Sequence, residues 1–170
     1  LLADDRPLHA AAAVELLGEM GKDKFRPFEF NLSYDVHTDK NGILSVTNYE
    51  YYDLGGAHPN TERSSKTFDL KNAKELALSD VVKGDADEIH TMVYDVFVKY
   101  FEENSEDFST EAASELDKEC DNVKFYVTDN TIVLYFDVYQ VSSYAEGYPT
   151  VELQYSEGVF KIDLSENAAE

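Results

Sequence analysis

The hydrophobic period of this chain switches repeatedly between helical and strand spacing, and that most narrows what it can fold into. Phe28, Phe30, Leu32, Tyr34 and Val36 alternate with Glu29, Asn31, Ser33, Asp35 and His37. Successive side chains of a strand point to opposite faces, so this spacing predicts a long strand with one face buried and one wet. Further on, Ile89, Met92, Val93, Val96, Phe97, Tyr100 and Phe101 recur at steps of three and four. They predict a helix over 86–103 with a core-facing stripe. Asp85 and Glu88 stand at capping-box spacing before it. The period then returns to two. Val123, Phe125 and Val127 alternate, Asp129-Asn130 reverses the chain, and Ile132, Leu134, Phe136 and Val138 alternate on the way back. Hairpin strands with helices inserted between groups predict an α+β fold, with antiparallel sheets packed against two or three helices.

The remaining segments fill in this plan. Asp4, Asp5 and Pro7 mark a helix start, Ala13, Leu16, Leu17 and Met20 keep helical spacing, and Gly21 ends a helix over 6–20. Asp39-Lys40-Asn41-Gly42 is a turn, and residues 43–53 return as a second strand. Thr61 to Phe68 is polar enough for an edge or solvent-facing strand. Leu70 to Val82 reads as a mixed connection whose Leu70, Leu76, Leu78 and Val82 cover the core, and residues 110–119 as a short helix through Ala113 and Leu116. Val151, Leu153 and Tyr155 form a late strand. The chain divides into an N-terminal lobe, 1–82, and a C-terminal lobe, 83–170, within one compact unit of 170 residues.

Charge excludes some partners. A net charge of −21 repels nucleic-acid phosphates and anionic lipid headgroups, and it steers cationic partners inward. A solubilising surface accounts for the same charge. The single cysteine, Cys120, rules out an internal disulfide, which leaves an exported bacterial domain open. No window of about eighteen apolar residues exists to span a bilayer. The opening Leu1-Leu2 is expected of a mature or trimmed fragment that has lost a signal or anchor, and an arbitrary boundary explains it equally.

Two loops stand out as candidate binding elements. Gly55-Gly56-Ala57-His58-Pro59 lies between an aromatic strand and a polar one. Its glycines reach dihedrals costly for other residues, and its proline stops strand pairing, which leaves a shaped loop presenting His58. The second loop runs from Tyr139 to Pro149 and carries Tyr144, Gly147 and Tyr148. Tyrosine offers large contact area at low entropic cost, so Gly55, Gly56, His58, Pro59, Tyr139, Tyr144, Gly147 and Tyr148 are the expected binding residues. The plain alternative makes both loops chain reversals.

Tests for catalysis find little. Asp35-x-His37-x-Asp39 puts three ligand types on one strand face, yet this is also simply the wet face, and no metal or cofactor is expected. A calcium loop over 37–48 would need an acid first and a glutamate last, where His37 and Asn48 stand. Cys120 sits among acids that raise its pKa and blunt it as a nucleophile. Gly55-Gly56 lacks the later glycine and lysine of a phosphate loop.

The pattern of an aromatic strand, Gly55-Gly56-Ala57-His58, a strand ending Thr67-Phe68-Asp69-Leu70, then Leu76-Ala77-Leu78-Ser79-Asp80 and finally Phe136 to Tyr139 running into Tyr144-Ala145 and Gly147, resembles a bacterial family. These are the paired domains of unknown function in RsiV-like extracytoplasmic anti-sigma factors, which sense lysozyme. Similar modules precede the catalytic domain of some peptidoglycan deacetylases and occur alone in surface lipoproteins. The likeness spans Phe25 to Ile162, with Gln140 to Ser143 replacing the more usual proline-containing sequence. It implies a non-enzymatic, extracytoplasmic recognition domain for a cationic protein such as lysozyme or for a cell-wall component. The signalling circuit is not carried over. The competing expectation is a cell-wall-modifying enzyme with His58 or a carboxylate as acid or base, or an accessory domain of a deacetylase.

Overall fold

The computed structural model describes residues 6–55, 58–104, 110–143, 147–155, 160–162 and 164. Two antiparallel sheets with helices inserted between them make an α+β fold, as the hydrophobic periods predict. Its residues group into two compact units, 1–33 with 48–63, and 34–47 with 64–170. The first sheet contains three long strands, β1 (Glu29–Lys40), β2 (Ile43–Asp53) and β3 (Asn60–Asp69). They stand in the order β1-β2-β3-β4 with a short β4 (Lys74–Leu76). Asn41 and Gly42 connect β1 to β2 with φ of 55° and 83°. Two positive φ values are what a two-residue hairpin requires, which explains the Asn-Gly pair.

In the first unit, helix α1 (Arg6–Met20) covers the expected range. It stops at Gly21, whose N–H still donates to the Leu17 carbonyl at 3.0 Å while its φ of 75° turns the chain out of the helix. Lys24 and Phe25 then donate to the Gly21 carbonyl, so the chain reverses tightly towards β1. Ala13, Leu16 and Leu17 are half-buried, and Met20 is exposed. Asp4 and Asp5, the acids expected at the helix start, lie outside the described residues.

The apolar face of β1 departs from expectation. Leu32 and Tyr34 are 71% and 70% exposed, and Phe30 and Val36 are also open. Alternation states which side chains share a face and says nothing of what covers it. β1 is an edge strand, and its burial is confined to the far end, at His37 and Thr38.

The second unit holds the core. Helix α3 (Ala86–Asn104) begins at the predicted capping box: the Asp85 N–H donates to Glu88 Oε2 at 2.9 Å, and the Glu88 N–H to Asp85 Oδ1 at 3.0 Å. Its stripe buries Val93, Phe97 and Phe101, with Phe97 4.6 Å from Phe136 between ring centres. Helix α4 (Thr110–Glu119) adds buried Leu116, followed by a 3-10 turn at Cys120–Asn122. The 70–82 connection contains β4 and helix α2 (Leu78–Val81). Val81 and Val82 join the core, whereas Leu70 is exposed.

A second sheet has the order β5-β6-β7, from β5 (Lys124–Val127), β6 (Thr131–Tyr135) and β7 (Thr150–Gln154). Val127 pairs with Ile132 across the Asp129-Asn130 turn. As the central strand, β6 is buried on both faces. Ile132, Leu134 and Phe136 belong to the main apolar cluster, while the Tyr135 hydroxyl meets Ser65 Oγ of β3 at 2.7 Å.

That contact belongs to a layer of buried hydroxyls. Ser45 pairs with Thr67 at 2.8 Å, and Thr47 with Ser65 at 2.7 Å. Ser45, Thr47 and Thr67 are essentially inaccessible to water. β4 pairs with β3 only over Thr67–Asp69, so Asn60–Glu62 remain exposed as expected of a solvent-facing strand, while Ser65 and Thr67 satisfy neighbouring hydroxyls across the strands. Ser45 Oγ also accepts the Val127 N–H at 2.9 Å, which caps the outer edge of β5.

Candidate functional site

The loop after β2 is built as its glycine suggests. Gly55 has φ 77°, and its N–H donates to Asp53 Oδ1 at 2.8 Å, an Asx turn that only a residue tolerant of positive φ completes cheaply. His58 and Pro59 are exposed, with His58 Nδ1 donating to the Pro59 carbonyl at 3.0 Å. Gly56 lies outside the described residues. Next to this loop, Tyr52 on β2 donates its hydroxyl to Glu62 Oε1 of β3 at 2.9 Å. That bond to a carboxylate, followed by burial, raises the phenol pKa.

Gly55 borders a cleft of about 240 Å³ in the first unit. Leu16 and Met20 of α1 form one wall, and Leu54 with Gly55 another. The segment between Gly21 and β1 supplies Lys24, Phe25, Arg26 and Phe28. Phe25 and Phe28 are tilted neighbours, 6.2 Å between ring centres. The volume lies just under the roughly 300–1,000 Å³ of drug-sized sites, so it suits one ring or a short side chain. Among the described lining residues, Lys24 and Arg26 carry the polar side chains. Both are exposed, and neither forms an ion pair with a described residue. Sequence reasoning missed them. The available signal was the cation–aromatic alternation Lys24-Phe25-Arg26-Pro27-Phe28 in a chain of net charge −21.

The late loop lies in the second unit. Tyr139 is 66% exposed and has φ 66°, a left-handed conformation that costs a tyrosine about 1–2 kcal/mol. The turn beneath it is braced: the Gln140 N–H donates to the Asp137 carbonyl, and the Asp137 N–H to Gln140 Oε1. Gln140 Nε2 reaches Glu119 at 2.9 Å, and Lys124 pairs with Asp137. Gly147 has φ 72°, Tyr148 is half-buried, and the Pro149 carbonyl accepts the Phe136 N–H at 3.1 Å. Tyr144 lies outside the described residues.

His37 and His90 are held by neighbouring side chains. His37 stacks on Tyr126 at 3.8 Å, and its Nε2 bonds Thr47 Oγ1 at 2.7 Å, which continues the hydroxyl chain to Ser65 and Tyr135. Among the described residues, no group of three His, Cys, Asp or Glu side chains gathers as a metal site. His90 on α3 contacts Asp121 at 2.9 Å and Asp117 at 3.2 Å, and these two bonds raise its pKa. Cys120 is buried, and its thiol is pushed up to about 12, first by burial and then by Asp117 and Asp121.

Residues 71–156, half of the chain, match the family described as "Protein of unknown function (DUF3298)". The chain belongs to the DUF3298 family. Its fold agrees with solved members: a DUF3298 family protein of Pseudomonas aeruginosa PAO1 superposes with a TM-score of 0.63 at 20% identity, over 92% of this chain and 71% of that one. A member from Bacteroides fragilis NCTC 9343 gives 0.65 at 18% identity, over 91% and 64%. Residues 10–61, ahead of the DUF3298 match, fit the family described as "Deacetylase PdaC", and the described residues that line the cleft fall inside that range. A curated relative, the peptidoglycan-N-acetylmuramic acid deacetylase PdaC of Bacillus subtilis (strain 168), is 30% identical over 134 residues. That alignment takes in 75% of this chain and 28% of the deacetylase, so the chain spans little more than a quarter of its relative.

Proposed function

We propose that this chain is an extracytoplasmic accessory module of a cell-wall-acting protein, one that binds peptidoglycan while another part of such a protein does the chemistry. The carrying observation is the pattern of likeness to PdaC. Three-quarters of this chain aligns with a minor fraction of the deacetylase, and the cleft lies within the segment that matches the PdaC description. An accessory domain needs a concave apolar site with a few polar groups, and the first unit supplies one. The Gly55 and Tyr139 loops present exposed rings suited to contact, each in its own unit. Among the described residues no helix is long and apolar enough to cross a membrane.

The test is sedimentation of the full chain with purified peptidoglycan sacculi, with released acetate measured in the same tube. The reading expects saturable binding and no acetate. Acetate release abolished by His58→Ala would replace it with the enzymatic reading. His58→Ala and Tyr139→Ala, assayed separately, show which loop contributes contacts. A second reading, recognition of a cationic protein such as lysozyme in the manner of RsiV-like anti-sigma factors, draws on the −21 net charge. It expects lysozyme binding that weakens steeply as salt rises.

A further inference from the structure

The cleft in the first unit combines features that seldom meet on so acidic a chain. Its walls are hydrocarbon and aromatic, from Leu16, Met20, Phe25, Phe28 and Leu54. Lys24 and Arg26 line it, two residues apart, with no ion-pair partner among the described residues. The chain has 35 acids against 14 lysines and arginines, so the absence of a described ion-pair partner is not for want of carboxylates. The nearby Asp53 is occupied by the Gly55 N–H and does not line the cleft. Pro27 fixes φ between Arg26 and Phe28, which restricts the backbone of this stretch.

We propose that this cleft binds the carboxylate of a short apolar acid, with its hydrocarbon against Phe25, Phe28 and Leu54 and its charge between Lys24 and Arg26. The inference rests on the wall-binding reading and narrows its ligand. Peptidoglycan offers that chemistry at the terminal alanine carboxylate of the stem peptide and, where the stem peptide has been removed, at the freed lactyl carboxylate of muramic acid. Arginine can grip a carboxylate through two parallel N–H···O bonds, and lysine adds a point charge. At about 240 Å³ the site admits a lactyl or alanyl unit with part of its neighbour and excludes a folded partner.

The experiment is an amide-resolved NMR titration of the full chain with four probes. N-acetylmuramic acid and N-acetyl-D-alanine carry the carboxylate. N-acetylglucosamine and N-acetyl-D-alanine methylamide are their neutral counterparts. The proposal expects shifts at Lys24, Phe25, Arg26 and Gly55 with one or both acids, and which acid responds identifies the source. Neutral probes should bind at least tenfold more weakly. Lys24→Gln with Arg26→Gln should weaken the acids at least tenfold without changing the melting temperature, since both side chains are exposed. Equal binding of acid and neutral probes, shifts centred elsewhere, or no shift with either acid would overturn it. Sedimentation with sacculi separates the two claims: if the double variant sediments like wild type and neither acid binds, the cleft proposal fails while the accessory reading stands. If an acid binds the cleft but sacculi are not retained, the accessory reading fails instead.

Discussion

Ser45→Ala should be far more damaging than deletion of one hydroxyl suggests. Ser45 Oγ accepts the Val127 N–H at 2.9 Å and pairs with Thr67 Oγ1 at 2.8 Å, and all three residues are almost completely buried. Alanine leaves the Val127 amide without an acceptor on the outer side of β5, where no further strand follows. A buried donor left unmade costs about 1–3 kcal/mol, and the lost Thr67 bond adds about 1 kcal/mol. The expected total is about 2–4 kcal/mol, or a fall in Tm of roughly 5–15 °C for a chain of this length. Thr67→Val removes only the second bond and should cost about 1 kcal/mol. Ser33→Ala, at an exposed position, should stay within about 0.5 kcal/mol of wild type. Urea unfolding followed by circular dichroism measures the ranking, and hydrogen exchange reads the Val127 amide directly. Equal stability of Ser45→Ala and wild type, with Val127 still protected, would refute the claim that Ser45 caps this sheet edge.

Other perturbations have defined outcomes. His90 has a folded-state pKa raised above 6.5 by its bonds to Asp121 and Asp117, so its contribution is fully present below pH 6.5 and fades as pH rises through the raised value. The stability difference between wild type and His90→Gln, from melts across pH, should therefore be largest in acid and shrink in base; a constant difference contradicts the assignment. The Cys120 thiol, buried and pushed up to about 12, should resist a thiol-specific chromogenic reagent at pH 8 until the protein is denatured, and rapid labelling of the native chain would show otherwise. Phe97→Ala, which empties the centre of the α3 stripe against Phe136, should cost about 3–5 kcal/mol in chemical denaturation. Tyr139→Gly should cost less stability than Tyr139→Ala, because glycine tolerates φ 66° where alanine does not, while sacculus binding falls in both if the ring is a contact. A large loss of stability would instead make Tyr139 a structural residue.

What could be read from the sequence was set by range. The Asp85/Glu88 capping box, the Gly21 stop and the Asn41-Gly42 hairpin each depend on residues a few positions apart, and each forms as spacing and dihedral preference dictate. The β1 stripe was legible as a face but not as an exposed one, because its covering depends on elements distant in the chain. β3 looked wet because serine and threonine are polar, yet across strands they satisfy each other and can be buried. The link from Ser65 to Tyr135 bridges 70 positions and leaves no local pattern. The same holds at the candidate site. Gly55 announced itself through its backbone, whereas Lys24 and Arg26 matter only because Leu16, Met20 and Leu54 fold beside them.

The most direct test of the accessory role is a binding isotherm of the full chain on purified peptidoglycan sacculi at physiological ionic strength. The account predicts saturable retention that free N-acetylmuramic acid or N-acetyl-D-alanine competes away. Retention no greater than that of an unrelated protein of equal negative charge would contradict it.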